Sequence, residues 1–122
     1  MRSLEQLVQD TEPFPDSLIQ QLPPRNDDFV PWFEYAQRLL LQHPGHSYRV
    51  LDVTHDGDVW AVTVEFEIEG SRYAAVGEDS APAAAESNAY KRALSHAGIG
   101  LHLYNRDGYW LHGRLQKGAD DE

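Results

Sequence analysis

The sequence predicts an α+β fold, a three-stranded antiparallel β-meander packed on a long C-terminal helix in the order α-β-β-β-α. Three observations carry that prediction. Apolar residues recur with helical spacing at Trp32, Tyr35, Ala36, Leu39 and Leu40. Apolar and polar residues then alternate strictly from Trp60 to Glu69. Between Ser80 and Gly100, an early proline, an alanine-rich stretch and a closing Gly-Ile-Gly bound one long helix. A chain of 122 residues with 41% apolar and 11% aromatic side chains makes one domain with a single core of two packed layers. It divides into an N-terminal arm (1–26), a core (27–105) and a C-terminal tail (106–122).

The arm is expected because Pro13, Pro15, Pro23 and Pro24 interrupt any long helix. A short helical piece fits Leu4 to Gln9, where Ser3 and Gln6 are spaced as a capping box. Asp27 or Asp28 is placed to cap the next helix, and Pro31 suits its first turn. That helix stops at His43-Pro44-Gly45, since proline disfavours helix in the residue before it and glycine permits a reversal. Tyr48 to Val53 reads as the first strand, and His55-Asp56-Gly57-Asp58 turns the chain into the second. The second strand sets Trp60, Val62, Val64, Phe66 and Ile68 on a buried face and Thr63, Glu65, Glu67 and Glu69 on an acidic one. Glu69-Gly70-Ser71 is a second tight turn, followed by a short third strand from Arg72 to Val76 that ends at Gly77. Ser80 is placed to cap the last helix, with Pro82 in its first turn. On that helix Ala83, Ala85, Ala89, Tyr90, Ala93, Leu94 and Ala97 share the apolar side, and Asn88, Lys91, Arg92 and Ser95 the polar side. Glu86 falls on the apolar side, and nothing in the sequence accounts for it.

Charge is the second source of information. Twenty acids against ten Lys and Arg give a net charge of −10, which taken whole opposes a phosphate-binding role. The charge is unevenly spread. Residues 1–86 hold five Arg against sixteen acids, whereas residues 87–118 hold Lys91, Arg92, Arg106, Arg114 and Lys117 against Asp107 alone. The terminal Ala-Asp-Asp-Glu is acidic again. A basic segment inside an acidic chain points to one restricted anionic partner surface. Cys is absent, which excludes disulfides, thiolate zinc sites and cysteine nucleophiles. No apolar run approaches the roughly 18 residues of a membrane span, and the N-terminus MRSLEQLVQD is too polar for a signal peptide. A cytoplasmic protein without a membrane partner is expected.

Lys91 and Arg92 are the strongest local signal. Adjacent helical cations lie about 100° apart and can touch successive phosphates of one strand, although two cations also suit a solvated helix face. Arg106, Arg114 and Lys117 interleave with Tyr104, Tyr109 and Trp110, the mixture by which single strands are held and their bases stacked. Those aromatics could equally pack back over the open end of a small core. Glu65, Glu67 and Glu69 stand roughly 7 Å from one another along a strand, too far to share a cation without further ligands. His96, His102 and His112 lack zinc spacing, and no nucleophile is paired with a base. Neither catalysis nor a cofactor is expected.

The last helix and the turn after it carry a more specific pattern. Ala85, Ala89, Lys91-Arg92-Ala93, Gly98-Ile99-Gly100 and Leu103-Tyr104 together resemble the Rad-fifty-two superfamily of single-strand annealing proteins, including its bacterial DdrA-type and phage Sak-type branches. Glu12-Pro13-Phe14-Pro15 is similar to that family's start, and Val76-Gly77 to the point where its third strand leaves the sheet. The pattern departs at Ser95, Ala97 and Leu101. The resemblance implies a ring or arc of identical subunits that holds single-stranded DNA in a basic groove and anneals it to a complementary strand without ATP, in recombination or repair. It assigns Lys91 and Arg92 to the DNA backbone. Asn88, Ser95, Tyr104, Arg106 and Arg49 complete the expected contact set, and the acidic C-terminus is a candidate peg for another repair protein. Two alternatives share the same features: a double-stranded RNA-binding module, whose α-β-β-β-α order is similar but whose cationic first turn is missing at residues 80–84, and an oligomeric interaction protein without nucleic acid.

Overall fold

The computed structural model describes residues 1–121 and contains the expected α+β meander. Helix α1 (Leu4–Thr11) opens the chain, and a minimal antiparallel pair, β1 (Gln20–Leu22) and β2 (Asp27–Phe29), precedes α2 (Trp32–Gln42). The main sheet has the order β3 (Ser47–Asp56), β4 (Val59–Ile68), β5 (Ser71–Asp79), all antiparallel. Helix α3 (Pro82–His96) packs across β4 and β5, and α4 (Leu111–Asp120) packs on α1. No helix among the described residues is long and apolar enough to cross a membrane.

Strand β4 is the centre of the core because its even-numbered side chains alternate inward: Val62, Val64, Phe66 and Ile68 are buried beneath Ala85, Ala89, Ala93 and Leu94. Phe66 meets Tyr48 at 4.9 Å and Tyr90 at 4.8 Å between ring centroids. Glu86, unexplained from the sequence, accepts the Tyr48 hydroxyl at 2.5 Å and so ties α3 to β3. Beyond Tyr48, helix α3 leaves β3 uncovered, and Val50, Leu51 and Val53 stay half exposed on that edge, with a β-bulge between Val50 and Asp52.

Several local expectations are corrected. Asp27 and Asp28 lie in β2 and cap nothing: residues 27–29 pair with β1, Pro31 favours extended backbone at Val30, and α2 begins at Trp32 without a side-chain cap. On α2 only Tyr35 and Leu39 are fully buried, whereas Trp32 rests edge-on against Tyr90 and Leu40 faces outward. Ser80 does not cap α3: Ala81 occupies that position and its N–H is held by Asp79 Oδ1 at 3.2 Å. The third strand does not end at Gly77, which pairs with Val62 inside β5. A Cβ built on Gly77 would overlap the backbone of Ala85 and Ala89, so the glycine marks the closest approach of α3 to the sheet.

Residues 1–26 are not a detached arm. Phe14 is in the core, 4.8 Å from the Tyr35 ring, and Asp10 and Thr11 are buried. Asp10 receives Arg2 Nη1 at 2.9 Å and lies 2.7 and 2.8 Å from His43 Nε2; Arg2 also donates to the Ala97 carbonyl at 2.6 Å and to the Tyr73 hydroxyl at 2.8 Å. The prolines break the helix without freeing the segment, because a buried ion pair holds it. The tail likewise folds as α4. Glu122, the last residue of the acidic end, lies outside the described residues.

Candidate nucleic-acid interface

The polar side of α3 opens on a groove of about 840 Å³. Lys91, Arg92 and Asn88 line it from the helix, Tyr104 and Arg106 from the segment after it, and Phe29 from β2. Five of the seven sequence-predicted contact residues therefore meet in one concave surface.

The Gly-Ile-Gly turn makes this convergence possible. Gly98 N–H reaches the Ser95 carbonyl at 3.0 Å and Ile99 N–H the Leu94 carbonyl at 3.0 Å, a Schellman ending that needs the left-handed Gly98 at φ 92°. Ile99 is buried, and Gly100 at φ 75° lies so near the Tyr35 ring that a Cβ would collide with it. The chain is thereby turned back beside α3, and the short 3₁₀ turn Leu101–Tyr104 delivers Tyr104 to the groove.

The groove's charged groups differ in how free they are. The Lys91 ammonium stands 5.4 Å from the Phe29 ring centroid and has no hydrogen-bond partner among the described residues, and its partial burial lowers its pKa. Arg92 donates to the Val76 carbonyl at 2.7 Å and Asn88 to the Glu78 carbonyl at 3.2 Å, both on β5. Arg106 is gripped by Asp16 at 2.8 Å and Asp28 at 3.1 Å, and the hydrogen bond to Asp28 raises its pKa. Tyr104 is 58% exposed. Asp27, Asp28 and Asp107 also line the groove, so three carboxylates stand among its three cations.

Two predicted contact residues lie elsewhere. Ser95 is buried, its hydroxyl donating to the Arg92 carbonyl at 2.6 Å in the back-bonded manner of helical serines. Arg49 pairs with Glu65 at 2.8 Å across β3 and β4, on the sheet face opposite α3. Conversely, Phe29 and Asp28 are groove residues that sequence reasoning does not nominate. Their place follows from the pairing of β2 with β1, and no local signal announces it, since Pro31 restrains only Val30 before it. The aromatic tail splits: the Tyr109 hydroxyl donates to the Thr11 carbonyl, while Trp110 points outward.

Comparison of the sequence with protein-family models and with curated proteins finds no match.

Proposed function

We propose that this chain binds single-stranded DNA in the groove beside α3 and promotes annealing of complementary strands without ATP, acting as an assembly of identical subunits of the Rad-fifty-two type. The observation that supports this reading is the convergence of Lys91, Arg92, Asn88, Tyr104 and Arg106 around one open concave surface. Annealing requires backbone charge to be neutralised while bases stay available for pairing, which suits a few phosphate-directed cations and one exposed tyrosine. Lys91 is the cleanest probe, because Arg92 and Asn88 also hold the edge of β5.

Fluorescence anisotropy with single-stranded DNA, double-stranded DNA and duplex RNA across salt concentrations tests the reading. Lys91→Ala is expected to weaken single-strand binding and flatten the slope of log K against log salt by about 0.7, the share of one phosphate contact on a single strand. Unchanged single-strand affinity in the Lys91→Ala/Arg92→Ala double variant would remove the groove assignment. Native mass spectrometry with a strand-annealing assay tests the rest: a strictly monomeric chain that fails to pair complementary oligonucleotides rules out annealing.

A second reading, an interaction module that binds no nucleic acid, is favoured by the three groove carboxylates and by the prior engagement of Arg106 with Asp16 and Asp28. It predicts no oligonucleotide binding even at low salt.

A further inference from the structure

We propose that the outward stripe Trp110, Arg114 and Lys117 on α4 is a second contact surface for single-stranded nucleic acid, Trp110 stacking a base while Arg114 and Lys117 hold flanking phosphates. This rests on the reading that the groove binds a single strand, and it extends the path of that strand onto a helix beyond the groove.

Four observations carry it. Trp110 is 64% exposed, more than any other tryptophan, tyrosine or phenylalanine among the described residues. Its exposure is not a loose end, because α4 is anchored by its other side: the residues flanking Trp110 hold Thr11, with Tyr109 on its carbonyl and His112 Nδ1 at 3.4 Å from its hydroxyl. Leu111 and Leu115 are turned half inward. Positions 110, 114 and 117 recur every three or four residues and share the solvent face.

Arg114 is the second observation. Its guanidinium lies 5.2 Å from the Trp110 ring centroid. In this acidic chain Arg2, Arg25, Arg49, Arg72 and Arg106 are each paired with a carboxylate. Arg38 and Arg92 donate to backbone carbonyls. Arg114 alone among the arginines has neither a carboxylate partner nor a hydrogen-bond acceptor for its side chain among the described residues, and Lys117 has neither there. With twenty acids available, unpaired cations beside an exposed indole are suited to an incoming anion with an aromatic ring.

Reach is the third. Trp110 comes four residues after Arg106, so it lies within about 14 Å of the groove's end, and α4 carries Lys117 about 10 Å further along its axis. Trp110 is within that reach of a strand leaving past Tyr104 and Arg106, and Arg114 and Lys117 stand on successive turns of the same helix. The fourth observation separates nucleic acid from a lipid surface: the stripe offers one large apolar side chain, with Gly113 beside it, whereas an interfacial helix presents a broad apolar face.

The test compares binding of short and long oligo(dT), about 5 and about 15 nucleotides, to the full chain and its variants. Trp110→Ala is expected to weaken binding of the long oligonucleotide about tenfold, a base-stacking contact's worth, while leaving the short one unchanged. Arg114→Ala is expected to lower the long oligonucleotide's salt slope by about 0.7. Long oligo(dT) should quench the intrinsic fluorescence of the wild type more than that of Trp110→Phe. The proposal is overturned if Trp110→Ala and Arg114→Ala bind both lengths as the wild type does; if Lys91→Ala still weakens both lengths, the groove survives that result. Absence of any oligo(dT) binding by the wild type removes groove and stripe together. Binding to phosphatidylserine vesicles that Trp110→Ala abolishes, without oligo(dT) binding, gives the stripe to a lipid surface and also overturns the proposal.

Discussion

Gly77 and His102 show how much rests on single side chains. Because a Cβ at Gly77 would overlap the backbone of α3, relief requires moving the helix and cannot come from rotating a neighbour. Gly77→Ala is expected to destabilise the fold by about 3 kcal/mol, the upper range of overpacking, read as a lower urea midpoint with an unchanged m-value. His102 is buried near Phe14 and Tyr109, its Nε2 unpartnered, and burial lowers its pKa to about 4. A histidine held neutral in the fold but free to charge when unfolded contributes stability that is complete above about pH 6.5 and lost as pH falls toward 4. The urea midpoint should fall over that interval, and His102→Leu should flatten part of the fall. Neither role is readable from the sequence. Gly77 reads there as a strand end, since a glycine does not say what approaches it, and the spacing of His102 speaks only to zinc.

At the level of elements, most local signals were legible, the caps expected at Asp27 or Asp28 and at Ser80 excepted, and long-range ones were not. The Ser3–Gln6 capping box is present in full, as are the Schellman ending after α3 and the Glu69-Gly70 turn with both residues at positive φ. Each is decided by residues within one turn. What escaped were the attachments of the first helix, because Arg2 and Asp10 acquire meaning only when His43, Tyr73 and Ala97 are brought to them. With the Arg2 and Asp10 side chains 10% and 0% exposed, removing the cation leaves a buried carboxylate with His43 as its one remaining side-chain partner among the described residues. Arg2→Ala should lower stability by about 3 kcal/mol in urea unfolding, and Arg2→Lys should recover only part, since a point cation cannot serve the Asp10, Ala97 and Tyr73 acceptors together. Hydrogen exchange should then rise first in α1. The same logic covers the groove: Lys91, Arg92 and Asn88 were legible as one helix face, whereas the strand beneath them and the aspartates among them were matters of tertiary placement.

Across the whole molecule, the net charge of −10 is sorted by location. Glu65 and Glu67 face away from α3, each beside an arginine of a neighbouring strand, while the cations without a hydrogen bond or ion pair among the described residues, Lys91, Arg114 and Lys117, all fall in the last third of the chain. Total charge was thus a poor guide to where unpaired cations lie, and its partition along the sequence a better one. Fold class followed from periodicity, which reports burial directly. The positions of Arg49 and Ser95 could not follow from it, because a strand cation faces either side of a sheet according to register, and a helical serine can spend its hydroxyl on its own backbone.

The two edges of the main sheet differ in a way that bears on how copies of the chain could join. Val76 and Glu78 on the β5 edge already accept side-chain hydrogen bonds from Arg92 and Asn88. On β3, among the described residues, no side chain or further strand bonds the outer backbone, and Val50, Leu51 and Val53 stand half exposed beside it. A strand arriving at β3 finds open donors and acceptors; one arriving at β5 must first displace two side chains, both of which line the groove. Sheet extension in this protein therefore has a polarity, and its disfavoured end is held by the same two side chains that shape the groove.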